Sequence, residues 1–246
     1  MTAAGMVPAL QAVGLGKTYP ADWRGRRVPA LSEVTFTISP GTVVALVGPN
    51  GSGKSTLLKL CAGLSEPTAG TLDVAGRPAA EARRGGGIGY LAEETHYPRG
   101  LGVRAWLRGL AELDSRLPEP EGAVEQVLAE VGLTAEAEQR IGNLSKGQRQ
   151  RLGLAQARLG SPELLLLDEP ATGLDPRAVE AWMALVRRWR EAGRTVVFSS
   201  HFLPQVEEVA DRILLLAQGR LVAAVTAAEA RAAGGLHRLY LERTDA

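Results

Sequence analysis

The chain has almost no cysteine. Cys61 is the only one in 246 residues, so no internal disulfide forms and no cysteine-based metal cluster is available. It sits inside Leu57-Leu-Lys-Leu-Cys-Ala62 and is expected to act as a small buried hydrophobe. Aromatic residues make up only 4% of the chain, so Leu, Val and Ala must fill the interior. The formal net charge is +1. That lacks the basic excess of a dedicated nucleic-acid binder, and no nucleic-acid partner is expected. Long apolar runs are missing too. Val43–Val47, Leu164–Leu167 and Ile213–Ala217 are strand-length, well short of the ~20 residues that cross a bilayer. The first residues lack the basic-then-apolar pattern of a signal peptide. These absences predict a soluble, cytoplasmic chain with no direct lipid insertion.

Lysine is also scarce in a chain rich in arginine, occurring only at 17, 54, 59 and 146. Lys54 lies in Gly48-Pro-Asn-Gly-Ser-Gly-Lys54-Ser55-Thr56, which fits G-x-x-x-x-G-K-[ST]. The apolar run Val43–Val47 precedes it and the apolar helix Thr56-Leu-Leu-Lys-Leu60 follows. A buried strand thus feeds a glycine-rich turn that opens a helix, the context a phosphate-binding loop requires. Gly48, Gly51 and Gly53 bend the loop around Pro49 so that consecutive N–H groups, those of Asn50, Ser52 and their neighbours, point at one anion. The helix N-terminus adds partial positive charge. A compact ammonium at 54 suits a place between phosphates better than a planar guanidinium. The Ser55 hydroxyl is a candidate Mg²⁺ ligand.

The elements after this loop alternate. Strands are predicted at Val34–Ile38, Thr71–Val74, Ile88–Leu91, Leu164–Leu167, Thr195–Ser199 and Ile213–Ala217. Helices are predicted at Val103–Leu113, Gly122–Val131, Arg149–Leu159 and Arg177–Glu191. Tyr19–Arg27 reads as a polar hairpin tip or loop, and Arg83–Gly87 as a loop. The chain from about Glu94 to Arg140 is a helical insert in an otherwise alternating pattern, which favours a parallel sheet covered on both faces.

Two acids, Asp168 and Glu169, end the four-leucine run Leu164–Leu167. A wholly apolar strand is central in a parallel sheet, and its C-terminal end is where such sheets place ligands. Asp168 is placed to hold Mg²⁺ and Glu169 to polarise an attacking water. Leu144-Ser-Lys-Gly-Gln148 opens a helix, so Ser145 and the Gly147 N–H form a second anion site. Ser145 could equally be a plain helix cap.

Together these segments strongly resemble the nucleotide-binding subunit of ABC transporters. Gly48–Thr56 matches Walker A and Leu164–Glu169 matches Walker B with its catalytic glutamate. Leu144–Gln148 resembles the LSGGQ signature, with Lys146 replacing the first glycine of the pair. Gly173-Leu-Asp175 is similar to the D-loop, His201 to the switch histidine, and Tyr19 to the aromatic residue that stacks on adenine. Glu93 stands where the family usually has glutamine. This acidic form is similar to that of subunits paired with ABC-2-type membrane proteins, and a glutamate there can still ligate Mg²⁺; a solvated surface acid is the other reading.

The resemblance implies one ABC ATP-binding domain over residues 1–246: a P-loop NTPase (RecA-like) α/β core with a parallel sheet, an N-terminal antiparallel β subdomain, a helical subdomain at about 94–160 and a short C-terminal extension at about 225–246. It implies ATP and Mg²⁺ as cofactors. It implies a head-to-tail homodimer with two ATP molecules, each held by one subunit's Gly48–Thr56 and faced by its partner's Ser145, Gly147 and Gln148, with Asp175 linking the two sites. Lys54, Glu169 and His201 carry ATP hydrolysis in this arrangement. A separate transmembrane permease would then be driven from the inner face of the membrane. The stretch Ser145–Gln156 with Glu93-Glu94 is also similar to the ATPase of the copper-related system that matures nitrous oxide reductase. A soluble ABC-type ATPase scaffold, like those of iron–sulfur assembly, stays open as the alternative.

Overall fold

The computed structural model describes residues 7–20 and 27–244. Residues 21–26 of the predicted loop after Tyr19 lie outside the described residues.

In chain order the elements are β1 (Leu10–Pro20), β2 (Arg27–Ile38), β3 (Val43–Val47), α1 (Lys54–Cys61), β4 (Ala69–Val74), β5 (Arg77–Pro78), α2 (Ala79–Arg84) and β6 (Ile88–Leu91). Then follow α3 (Val103–Glu112), α4 (Pro120–Val131), α5 (Lys146–Arg158), β7 (Leu164–Leu167), α6 (Pro176–Glu191) and β8 (Thr195–Ser200). The chain closes with α7 (Leu203–Val209), β9 (Arg212–Ala217), β10 (Arg220–Thr226), α8 (Ala227–Ala232) and α9 (Leu236–Thr244).

Two sheets form. The larger has the order β10-β9-β3-β8-β7-β6. All its neighbours pair in parallel except the edge strand β10, which is antiparallel to β9. The smaller, antiparallel sheet has the order β2-β1-β4-β5. A bond from the Ser32 N–H to the Gly219 carbonyl, 2.8 Å, ties the smaller sheet to the larger.

Strand alternation divides the core. Val43, Ala45, Val47, Leu165, Leu167, Val196 and Phe198 face one side of the large sheet, against α3 to α7 and α9. Val44, Leu46, Leu164, Leu166 and Val197 face the other, against α1, α2 and the small sheet. This is why β3 and β7 are apolar at every position: each is buried on both faces.

The helices α3, α4 and α5 lie together beside the large sheet. Glu130 on α4 accepts from the Trp189 indole of α6 and pairs with Arg158 of α5 at 3.3 Å. Arg158 is buried, and that burial, opposed by Glu130, lowers its pKa. The insert is therefore pinned at its root by one carboxylate. No helix among the described residues is long and apolar enough to cross a membrane.

Several elements differ from expectation; β2 begins at Arg27 rather than Val34, and β10 has no counterpart among the predicted strands. β1 is a long strand that the sequence hid, because its register shifts between Ala12 and Leu15 and again at Lys17. α2 occupies part of what read as loop before Gly85. α5 begins at Lys146 rather than Arg149. α4 begins at Pro120, which fits the first helical position because it needs no N–H there.

Candidate nucleotide-binding site

The parallel strands β3, β6, β7 and β8 end level with one another. Val47 pairs with Ser200, Leu167 with Phe198, and Leu91 with Leu167. The segments beginning at Gly48, Ala92, Asp168 and His201 therefore leave the sheet at one edge, the ligand edge of an open α/β sheet.

The loop after β3 is glycine-dependent at its two ends. A Cβ on Gly48 would collide with the Leu216 carbonyl oxygen. Gly53 has φ +105, and a Cβ there would stand 2.7 Å from both the Ala30 oxygen and Leu31 Cδ2. Lys54, 7% exposed, turns its ammonium back onto the loop. It donates to the Gly48 oxygen at 2.8 Å and the Pro49 oxygen at 3.2 Å. Burial holds its pKa below the ordinary 10.5, while Glu169, Asp168 and Glu93 act to raise it. The buried Ser52 hydroxyl has no hydrogen-bond partner among the described residues. A cradle with a cation bound only to neutral carbonyls and a spare hydroxyl fits an anion with several acceptor oxygens.

The two acids after β7 are fixed by Ser199, the last residue of the strand predicted at Thr195–Ser199. The wholly buried Ser199 hydroxyl donates to Asp168 Oδ1 at 2.7 Å and accepts from the Glu169 N–H at 2.7 Å. Strand register was the signal that could have found it: Leu166 pairs with Val197, so two residues on, Asp168 lies beside Ser199. Glu169 has φ +48, a left-handed conformation for a non-glycine residue, costing about 1–3 kcal/mol. Its carboxylate accepts from the Thr172 hydroxyl at 3.0 Å and from His201 Nδ1–H at 2.9 Å. The carboxylate requires the donor tautomer at Nδ1. The Tyr90 hydroxyl nearby is buried without a partner among the described residues. Burial first, then Asp168 and Glu93, push its pKa up to about 12.

Among the described residues no group of three or more His, Cys, Asp or Glu side chains could by itself hold a metal ion. The candidate donors from the sequence are the Ser55 hydroxyl and the Asp168 and Glu93 carboxylates, the two acids both lying near enough to act on the Lys54 charge. Hard oxygen donors in that small number fit Mg²⁺, which keeps waters and takes substrate phosphates to complete its shell.

The second predicted anion site stands apart. Among the described residues no hydrogen bond or ion pair joins Ser145, Gly147 or Gln148 to Gly48–Thr56. Ser145 caps α5: its hydroxyl accepts from the Gln148 N–H at 3.2 Å, and Gln148 Oε1 accepts from the Ser145 N–H at 2.8 Å. The rest of the Gln148 amide donates to Glu136 at 3.0 Å. Both ends of the Gln148 amide are thus engaged within the subunit. Asp175, exposed at the start of α6, accepts from the Ala178 N–H at 2.9 Å. Tyr19 is half-buried, with the Lys17 ammonium 5.0 Å from its ring centroid.

The ABC transporter family model matches residues 31–172. An uncharacterized ABC transporter ATP-binding protein of Nostoc is 36% identical over 205 residues, covering 81% of this chain and 61% of that protein. The lantibiotic transport ATP-binding protein SrtF of Streptococcus pyogenes is 33% identical, covering 87% of this chain and 89% of SrtF. The dimeric post-hydrolysis structure of the ATP-binding cassette MJ0796, bound to ADP and Pi, superposes with a TM-score of 0.80 at 25% identity, over 89% of this chain and 98% of that one. The chain spans about three fifths of the length of the first curated relatives it matches. The nucleotide loop, the paired acids and the sheet order agree with this match, and the chain belongs to the ABC transporter family as an ATP-binding protein.

Proposed function

We propose that this chain is the ATP-hydrolysing subunit of a transporter, working as a homodimer that closes around two ATP molecules. The observation that carries the reading is the separation of its two anion sites. The loop Gly48–Thr56 shares one sheet edge with Asp168, Glu169 and His201, whereas the Ser145 turn makes no hydrogen bond or ion pair to that loop within the described residues. A head-to-tail pair accounts for both: each triphosphate rests on one subunit's loop and faces the other's Ser145 and Gly147. The MJ0796 cassette is a dimer in its solved form.

The residues divide the work. Lys54 leaves its carbonyl acceptors for the β- and γ-phosphates and neutralises them. Glu169 exchanges its bonds to Thr172 and His201 for a water, orients it and takes its proton. His201, 60% exposed on its side chain, is then free to donate to the γ-phosphate. Ser199 keeps Asp168 and the Glu169 backbone in place throughout. Ser55, Asp168 and Glu93 would hold Mg²⁺, which supplies charge neutralisation between the β- and γ-phosphates. Tyr19 offers an aromatic face for adenine. Asp175, at the turn before α6, would carry contact between the two sites. Positioning and charge dominate this chemistry, with little covalent work for the protein.

The transport reading assigns a separate transmembrane permease as partner, approached from the inner membrane face. The acidic Glu93-Glu94 pair and the segment Ser145–Gln156 favour an ABC-2-type exporter, and copper-related maturation of nitrous oxide reductase is the narrower form those residues support. The soluble-scaffold alternative predicts no membrane partner, and co-fractionation with membranes separates the two. For the ATPase itself, Glu169→Gln is expected to bind ATP, to turn over roughly 10²–10⁴-fold more slowly and to accumulate as an ATP-bound dimer on size exclusion. Lys54→Ala is expected to lose nucleotide binding or turnover. Wild-type turnover by both purified variants overturns the assignment.

A further inference from the structure

We propose that Lys146 reaches across the dimer to the γ-phosphate held on the partner subunit's nucleotide loop, and that its charge sets how readily ATP closes the dimer. The inference rests on the two-ATP sandwich proposed above and deepens it.

Lys146 is the first residue of α5, directly after the capping Ser145. Helix starts carry partial positive charge and favour acids. Here the first turn holds no acid and one lysine. Lys146 thus adds to the local positive field instead of cancelling it.

The ammonium is unspent. Lys146 is exposed, and no hydrogen bond or ion pair engages it among the described residues. Its side chain lies across Gly173, where a Cβ would stand 2.8 Å from Lys146 Cε. Gly173 has φ +70 and also lines a cavity of about 450 Å³ together with Glu169, Thr172 and His201. A free cation therefore rests on the Gly173 turn, which follows Glu169 in the chain.

Lysine is the suitable residue for this task. The chain otherwise meets its need for cations almost entirely with arginine. A flexible stem with a compact ammonium can leave Gly173 and settle on a phosphate as a point charge. Hydrolysis detaches the phosphate that attracts it, so the same contact that closes the dimer is lost when Pi leaves.

The test uses the full chain with Glu169→Gln, which traps the ATP-bound state, and reads the ATP concentration for half-maximal dimer by sedimentation at several NaCl concentrations. Adding Lys146→Gln is expected to raise that concentration by roughly tenfold, the size of one charge-assisted contact, and to flatten its dependence on salt. Lys146→Arg is expected to restore most of both. Fluorescent-ATP binding to the monomer and the melting temperature serve as controls and are expected to stay with the parent, separating a trans contact from a weakened helix start. Unchanged half-point and salt response in Lys146→Gln overturn the role of Lys146 while leaving the sandwich standing. If the Glu169→Gln parent stays monomeric in saturating ATP, the sandwich fails and this inference with it.

Discussion

Ser199 is the least conspicuous residue of the site and one of the most constrained. Its one hydroxyl serves two acids, donating to the Asp168 carboxylate and accepting from the Glu169 amide. Replacing it with alanine strands both groups in a buried place. Ser199→Ala is therefore expected to lose about 1–3 kcal/mol of stability in urea unfolding and to lower kcat at least tenfold, with ATP affinity largely kept. Threonine at 199 keeps the hydroxyl and should retain most of the turnover; an alanine variant with unchanged kcat contradicts the role. Lys54, Asp168 and Glu169 were legible in the sequence because their chemistry is written in contiguous spacing. Ser199 was not, since its meaning comes from the register of two strands that meet only in the fold. Gln148 shows the converse. Its motif position points at nucleotide, yet its amide is already divided between the Ser145 cap and Glu136.

At the scale of elements, the wholly buried strands were the easiest to see. The bounds of β3 and β7 follow directly from their apolar runs, since burial on both faces leaves no polar position to blur an end. Elements shaped by exceptions were harder. β1 breaks its own alternation around Gly14 and Gly16. α5 starts on Lys-Gly, which suit a first turn poorly, and the Ser145–Gln148 capping box secures it. The helices α8 and α9 beyond Thr226 carried no motif, although Thr226 and Glu229 form a second capping box. The attachment of the helical insert was also invisible, because Glu130, Arg158 and Trp189 are distant in sequence. Glu130 now joins α4 to both α5 and α6. Glu130→Gln removes the charge opposite the buried Arg158 while keeping the shape, and is expected to cost ~3 kcal/mol in chemical denaturation. An unfolding midpoint equal to the parent's contradicts that anchoring.

At the scale of the whole molecule, the proposed dimer gives each chain two half-sites, neither of them complete within one subunit. Lys54, Asp168, Glu169 and His201 gather at one sheet edge, and no hydrogen bond or ion pair among the described residues joins the Ser145 turn to the Gly48–Thr56 loop. The most direct measurement is ATP turnover in mixtures of two disabled chains, Lys54→Ala and Ser145→Ala. Each alone is expected to be inactive, since both of its composite sites carry a defect; Ser145→Ala also loses a helix cap worth about 1 kcal/mol, so its folding is checked by melting. Mixed dimers place both defects in one site and leave the other intact. Turnover that appears only on mixing is the expected result. A folded Ser145→Ala chain that hydrolyses ATP as fast as the parent, or a mixture that forms mixed dimers and recovers nothing, contradicts a site shared between two subunits.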